Sequence, residues 1–221
     1  GVDYASTLQS LAYGEARPWL YTAAGVHPQE LDHVPFSELE KIEGLLSHPK
    51  VRAVGECGLD YYYTKENRGE QLRFFEAQLE MALRHDMPVI VHDRDAHRDT
   101  LELLKKYRPK GVVHCFSGSA ETAAEILKLG MMIGFTGVIT FKNARKTLEA
   151  LAAVPLDRLL LETDCPWMAP EPLRGRPSNS SMIRYTAAKA AEVKGVAVET
   201  LIKATFDNAC RLFQVCPEAG I

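Results

Sequence analysis

Short apolar runs alternate along nearly the whole chain with segments whose apolar positions recur every three or four residues. That alternation predicts βα units joined into a parallel sheet, whose strands are apolar throughout because helices cover both faces. The predicted strands are residues 21–26, 51–56, 88–92, 111–114, 131–135 and 159–163. Between them, residues 37–46 open on a predicted capping box of Ser37 and Glu40 and place Leu39, Ile42, Leu45 and Leu46 on one helical face. Residues 70–85 repeat the pattern with Leu72, Phe75, Leu79 and Leu83. Further helices are predicted over 96–107, 120–129, 143–152, 181–193 and 199–213. The Pro- and Gly-rich stretch 166–180 reads as a loop long enough to cover a site. No repeat, low-complexity tract or linker divides the chain, so 1–221 is expected to form a single domain.

A complete barrel of such units needs eight strands, each followed by a helix. Six are clear here, and residues 1–17 add only the exit of one strand at 1–3 and a helix through Leu8 and Leu11. The expected fold class is therefore α/β, a (β/α)8 TIM barrel that is N-terminally incomplete, with the first strand and most of the second missing. Its strand at 21–26 would then carry an unpaired edge.

Composition narrows the function classes. A formal net charge of -3 argues against a protein that coats nucleic acid through a broad basic surface, yet permits a local grip on a few phosphates. No stretch approaches the roughly 18 apolar residues of a membrane span, and the N-terminal residues lack a leader pattern. The expectation is a cytoplasmic protein with no membrane partner. The five cysteines, Cys57, Cys115, Cys165, Cys210 and Cys216, form no CxxC pair and read as reduced thiols. Three directly follow Glu56, His114 and Asp164. Strand alternation would turn them away from those neighbours, as small buried hydrophobes.

In parallel α/β folds functional groups gather where strands exit into loops. Here Val54-Gly55 leads into Glu56, Val89-Ile90-Val91 into His92, Val112-Val113 into His114, Glu162-Thr163 into Asp164, and Gly25-Val26 into His27. Any one of these is ordinarily a hydrogen-bonded histidine or a helix cap. As a set, so many ionisable groups at one strand end would be costly without a counter-cation. Oxygen and imidazole donors without thiolates suit divalent Mg, Mn or Zn. Glu56 is placed to bridge two ions, as in two-metal hydrolases.

Five motifs in order, Gly25-Val26-His27-Pro28, Gly55-Glu56-Cys57-Gly58-Leu59-Asp60, Val91-His92-Asp93-Arg94-Asp95-Ala96, His114-Cys115-Phe116-Ser117-Gly118 and Glu162-Thr163-Asp164-Cys165-Pro166, resemble the TatD family of metal-dependent deoxyribonucleases. Asn208-Ala209-Cys210-Arg211-Leu212-Phe213 resembles the family's closing helix. The resemblance implies an amidohydrolase-like TIM barrel and metal ligation by Glu56, His92, His114 and Asp164. It gives Glu56 and Asp164 catalytic roles, with Asp164 accepting a proton from the attacking water. His27 and Arg94 would bind substrate phosphate, since guanidinium matches phosphate oxygens. For Arg94 the alternative is a surface ion pair with Asp93, Asp95 or Asp99.

Two features depart from the family. No His-x-His pair occurs, so of two metal positions the one using Glu56, His92 and His114 is the better supplied, the other retaining only Glu56 and Asp164. We read this as an N-terminal truncation rather than ligand substitution. Where the family often shows Arg-Asn-Glu-Pro, this chain has Arg176-Pro177-Ser178-Asn179-Ser180-Ser181. The leading expectation is a hydrolase of ester bonds, an exonuclease-like deoxyribonuclease with DNA as substrate. The alternatives are hydrolysis of a small amide, ester or lactone, and an inactive remnant.

Overall fold

Asp3 starts the first helix of the computed structural model, which describes residues 1–215. Its carboxylate accepts from the Ser6 N–H at 2.7 Å while the Ser6 hydroxyl accepts from the Asp3 N–H at 3.1 Å, a capping box at the head of α1 (Tyr4–Glu15). The described chain gathers into two compact units, one of Gly1–Val112 with the residues from Leu212 on, the other Val113–Arg211.

The first unit carries β1 (Thr22–Ala24), α2 (Glu38–Leu45), β2 (Val51–Asp60), α3 (Arg68–Arg84), β3 (Val89–Arg94), α4 (His97–Tyr107) and the start of β4 (Gly111–Val113). β1 pairs in parallel with β2 through Thr22↔Val51 and Ala24↔Val54, and β2 with β3 through Val54↔Val89, Gly58↔His92 and Asp60↔Arg94. The register shifts between Val54 and Cys57, a bulge at the segment holding Glu56. Ile42, Val54, Leu59, Phe74, Phe75, Leu79 and Val91 fill the core with at most 1% exposure. Each such side chain contributes roughly 1.5–3 kcal/mol on burial.

The second unit carries α5 (Ala120–Lys128), β5 (Met132–Phe135), α6 (Arg145–Ala153), β6 (Leu159–Leu161), α7 (Ile183–Lys194) and all but the last two residues of α8 (Val198–Phe213). β5 and β6 are parallel, pairing Ile133↔Leu159 and Phe135↔Leu161. The closing helix is tied to β6 because the Asn208 amide donates to Leu156 O at 2.7 Å and Leu159 O at 2.9 Å. Lys194 ends α7 by donating to the carbonyls of Ala152 and Val154 at the C-terminal end of α6.

All six expected strands form, and the parallel α/β class is the one expected. Several details differ. β2 runs four residues past the predicted end, through Gly58 to Asp60. Ser37 makes no side-chain cap bond, because its own backbone is already helical (φ -63°, ψ -13°) and no longer in the extended shape of a cap. On α3 Leu83 is exposed, while Gln71 and Gln78 are buried with Phe74, Phe75 and Leu79. The outer side of β1 is paired, since Gly1 N donates to Ala23 O and His27 N donates to Val2 O, both at 2.9 Å. Cys57 is buried, but Cys115 and Cys210 are partly exposed and Cys165 is exposed. Cys115 and Cys165 follow the last residues of β4 and β6, where strand alternation no longer governs direction. Cys216 lies outside the described residues. No described helix is long and apolar enough to cross a membrane.

Candidate metal centre

Glu56 sits at the bulge of β2 and is brought against the exit of β1 by a close backbone approach. A Cβ on Gly25 would stand 2.8 Å from the Gly55 backbone, so only glycine allows the two strands this near one another. The exit of β1 is fixed by Gln78 of α3, which accepts from Val26 N at 2.7 Å and donates to Val26 O at 3.1 Å. His27 follows, 9% exposed. His92 comes from β3, on the strand face shared by Ile90 and Arg94.

These residues converge. His92 Nδ1 lies 2.9 Å from Glu56 Oε1, His27 Nε2 lies 3.5 Å from the same oxygen, and the two imidazole rings meet edge to face at 4.5 Å. One ligand atom from each of His27, Glu56 and His92 falls within 4.8 Å of the others. Nitrogen and carboxylate donors bind ions such as zinc at about 2.0–2.2 Å, so two ligands of one ion stand about 3–3.5 Å apart. The donor chemistry and spacing fit a divalent cation.

Hydrogen-bond partners separate the two histidines. His92 Nε2 faces Asp60 Oδ2 at 3.1 Å. Burial works to raise the Asp60 pKa, but bonds from His92, the Tyr63 N–H and Gln29 outweigh it and hold the carboxylate ionised well below its usual range. A ring proton on Nε2, donated to Asp60, would leave the Nδ1 lone pair of His92 for a cation shared with Glu56. A carboxylate behind a ligating histidine is the usual support of a metal site. His27 has the opposite arrangement. Its Nδ1 accepts from the Gln29 N–H at 3.2 Å, which puts the proton of the neutral ring on Nε2. Of the three, Glu56 and His92 offer lone pairs to a cation, and His27 offers a proton to an anion.

Arg94 makes none of the ion pairs considered for it. Asp93 accepts from His97 at 2.7 Å, and Asp99 is occupied by Arg68 at 2.7 Å and the Tyr61 hydroxyl at 2.5 Å. The Arg94 guanidinium instead lies over the rings of Tyr62 and Tyr63, at 4.3 and 4.7 Å from their centroids. Both tyrosines are 59% exposed.

On the second unit, His114 follows β4 and Asp164 follows β6. His114 Nδ1 lies 3.0 Å from Glu162 Oε2, and the other Glu162 oxygen accepts from the Cys115 N–H at 2.6 Å. A Cβ on Gly134 of β5 would meet that carboxylate at 2.5 Å, so the glycine makes the space it occupies. A ring proton on Nδ1, donated to Glu162, would place the lone pair of neutral His114 on Nε2. Burial, joined by the charges of Glu162 and Asp164, pushes the Cys115 thiol up to about 11, against the opposing effect of His114. Burial also drives the Cys57 thiol far above its ordinary range. Both stay neutral thiols, poor metal ligands.

Glu162, Asp60 and Gln78 were not singled out from sequence. For Glu162 a signal existed: it lies two residues before Asp164, and residues two apart along a strand share a face. Asp60 ends the very motif that contains Glu56. Gln78 gave no signal, because a glutamine inside a helical pattern reads as an exposed position.

The family model described as TatD related DNase matches residues 1–214. The chain is 38% identical over 218 residues to the metal-dependent hydrolase YabD of Bacillus subtilis, covering 97% of this chain and 86% of the relative. It is 34% identical to the 3'-5' ssDNA/RNA exonuclease TatD of Pectobacterium carotovorum, again covering 97% and 86%. The crystal structure of YJJV, a TatD homolog from Escherichia coli, superposes with a TM-score of 0.92 at 34% identity, covering 98% of this chain and 85% of that one. The TIM-barrel kind of α/β fold expected from the motifs is thus the fold found, and the chain belongs to the TatD family of metal-dependent hydrolases.

Proposed function

We propose that the protein is a deoxyribonuclease that removes nucleotides from the end of a DNA strand by hydrolysing phosphodiester bonds. The observation that carries this reading is Arg94. It is a guanidinium without a carboxylate partner among the described residues, held over two exposed tyrosine rings and sharing a strand face with His92. Stacking rings beside a cation suit a nucleobase and its phosphate, and suit a small lactone or amide far less. The name of the Pectobacterium relative, an exonuclease on single strands, points the same way.

In this reading Glu56 and His92 hold a divalent ion on the first unit, and His114 and Asp164 are ion ligands on the second. A divalent ion bound by such residues supplies Lewis acidity, which makes water acidic enough to attack phosphorus near neutral pH. Asp60 and Glu162 keep the two ligand imidazoles in the tautomer that leaves a lone pair for the ion. His27 donates its Nε2 proton to a non-bridging phosphate oxygen and Arg94 grips a second phosphate. Asp164 accepts the proton released by the attacking water. Of the metals the donors suit, manganese and magnesium are the ones to supply in the assay.

The test is nucleotide release from end-labelled single-stranded DNA with manganese or magnesium present. H92A should lower turnover by about a hundredfold or more, as removal of a metal ligand does. R94A should mainly raise KM, by about tenfold. DNA left intact by a preparation that hydrolyses small esters or lactones would replace this reading with that of a small-molecule hydrolase.

A further inference from the structure

Beyond β6 the chain folds into a loop whose residues, with Phe141, line a cavity of about 530 Å³. Its walls include Trp167, Met168, Arg174 and Arg176. That volume falls in the range of about 300–1,000 Å³ typical of small-ligand sites. Trp167 is 70% exposed, an indole left largely in water. Arg174 lies 4.2 Å over the ring of Phe141, and neither Arg174 nor Arg176 has a carboxylate partner among the described residues.

The loop is held in shape by its own backbone. Trp167 N donates to Asp164 O at 2.7 Å, Leu173 N to Pro170 O at 2.7 Å, and Ser178 N to Pro166 O at 2.8 Å. Glu171 N donates to the Thr140 hydroxyl at 2.8 Å. A cavity fixed in this way is available to a ligand without an ordering penalty. The first of these bonds ties the backbone of Trp167 to that of Asp164.

An open indole face beside two uncompensated guanidinium groups matches one chemistry, an aromatic base joined to an anionic phosphate. We propose that this cavity binds one nucleotide of a single-stranded nucleic acid, its base against Trp167 and its phosphate between Arg174 and Arg176. A single strand is required because bases stacked in a duplex present no free face to the indole. This subsite rests on the nuclease reading above and specifies the form of substrate that reading requires.

The chain has two tryptophans, Trp19 and Trp167, so a W19F variant leaves Trp167 as the sole indole emitter. Titrating that variant with a short DNA single strand in chelator should quench the emission saturably, and a duplex of the same sequence should do so poorly. In wild-type background W167A should raise KM for the single strand by about tenfold with kcat within about twofold, and W167F should restore most of the loss. R174A should weaken binding in a salt-dependent manner. Unchanged emission together with an unchanged KM in W167A, while the wild-type protein still cleaves the strand, would overturn the subsite and leave the nuclease reading standing. Equal quenching by an acidic peptide would also overturn it, in favour of a general anion site. A wild-type protein that cleaves no strand would remove the nuclease reading and the subsite together.

Discussion

A single carboxylate decides which nitrogen of His114 can act. Glu162 Oε2 takes the Nδ1 proton while Oε1 is occupied by the Cys115 N–H, so the group is held at both ends in one orientation. Glu162→Gln keeps the size and can keep the bond to Cys115, but it turns an amide NH₂ toward Nδ1. An amide donor demands a lone pair at Nδ1 and therefore moves the ring proton to Nε2, the nitrogen needed for metal. Carboxylate supports of this kind are worth about 10–100-fold in metal affinity. E162Q should lose manganese affinity in that range by isothermal titration, with an unchanged far-UV circular dichroism spectrum. An affinity equal to wild type would mean that the Glu162 contact does not set the tautomer.

Among the elements, α3 does more than cover the sheet. Gln78, with no exposed surface, satisfies both backbone groups of Val26 at the exit of β1, where the strand has ended and no ladder partner remains. Gln78→Leu would leave a buried N–H and a buried carbonyl unpaired. At about 1–3 kcal/mol for each of the two groups, Q78L should destabilise the protein by about 2–6 kcal/mol in urea denaturation. A loss under about 0.5 kcal/mol would show that water or a shifted backbone replaces the amide. The same helix shows where sequence reading succeeds and where it stops. Phe75 and Leu79 lie on the expected face because hydrophobic periodicity reports burial directly. Leu83 and Gln78 exchange their expected roles because polar residues bury when a specific partner exists, and that partner, Val26, lies 52 positions away. β2 was predicted short for a related reason. The predicted strand ends at Glu56, whereas Gly55 and Gly58 permit close backbone approaches to Ile90 and His92 of β3 that carry β2 on to Asp60. The ligand-bearing strand ends were legible because apolar runs and the charged residues ending them are local patterns. Their carboxylate supports and the indole-guanidinium cavity are assembled from residues distant in sequence or folded along an irregular loop.

At the scale of the whole molecule, the net charge of -3 and the proposed grip on nucleic acid are compatible because the relevant cations are few and local. The same acidity concentrates where Glu56 and Asp60 flank His92, 2.9 and 3.1 Å from its two nitrogens. The folded chain gathers these donors around one point, whereas the unfolded chain disperses them. A divalent ion that binds the folded form alone therefore shifts the folding equilibrium by RT ln(1 + [L]/Kd), about 2.7 kcal/mol at a hundredfold excess over Kd. For a chain of this length each kcal/mol moves Tm by about 2–4 °C. Manganese should accordingly raise Tm by about 5–10 °C, chelator should reverse the rise, and H92A should abolish most of it while metal-free Tm values stay close. A rise of the same size in E56Q/H92A would place the stabilising ion elsewhere on the protein, and the argument that these two residues hold a cation would fail with it.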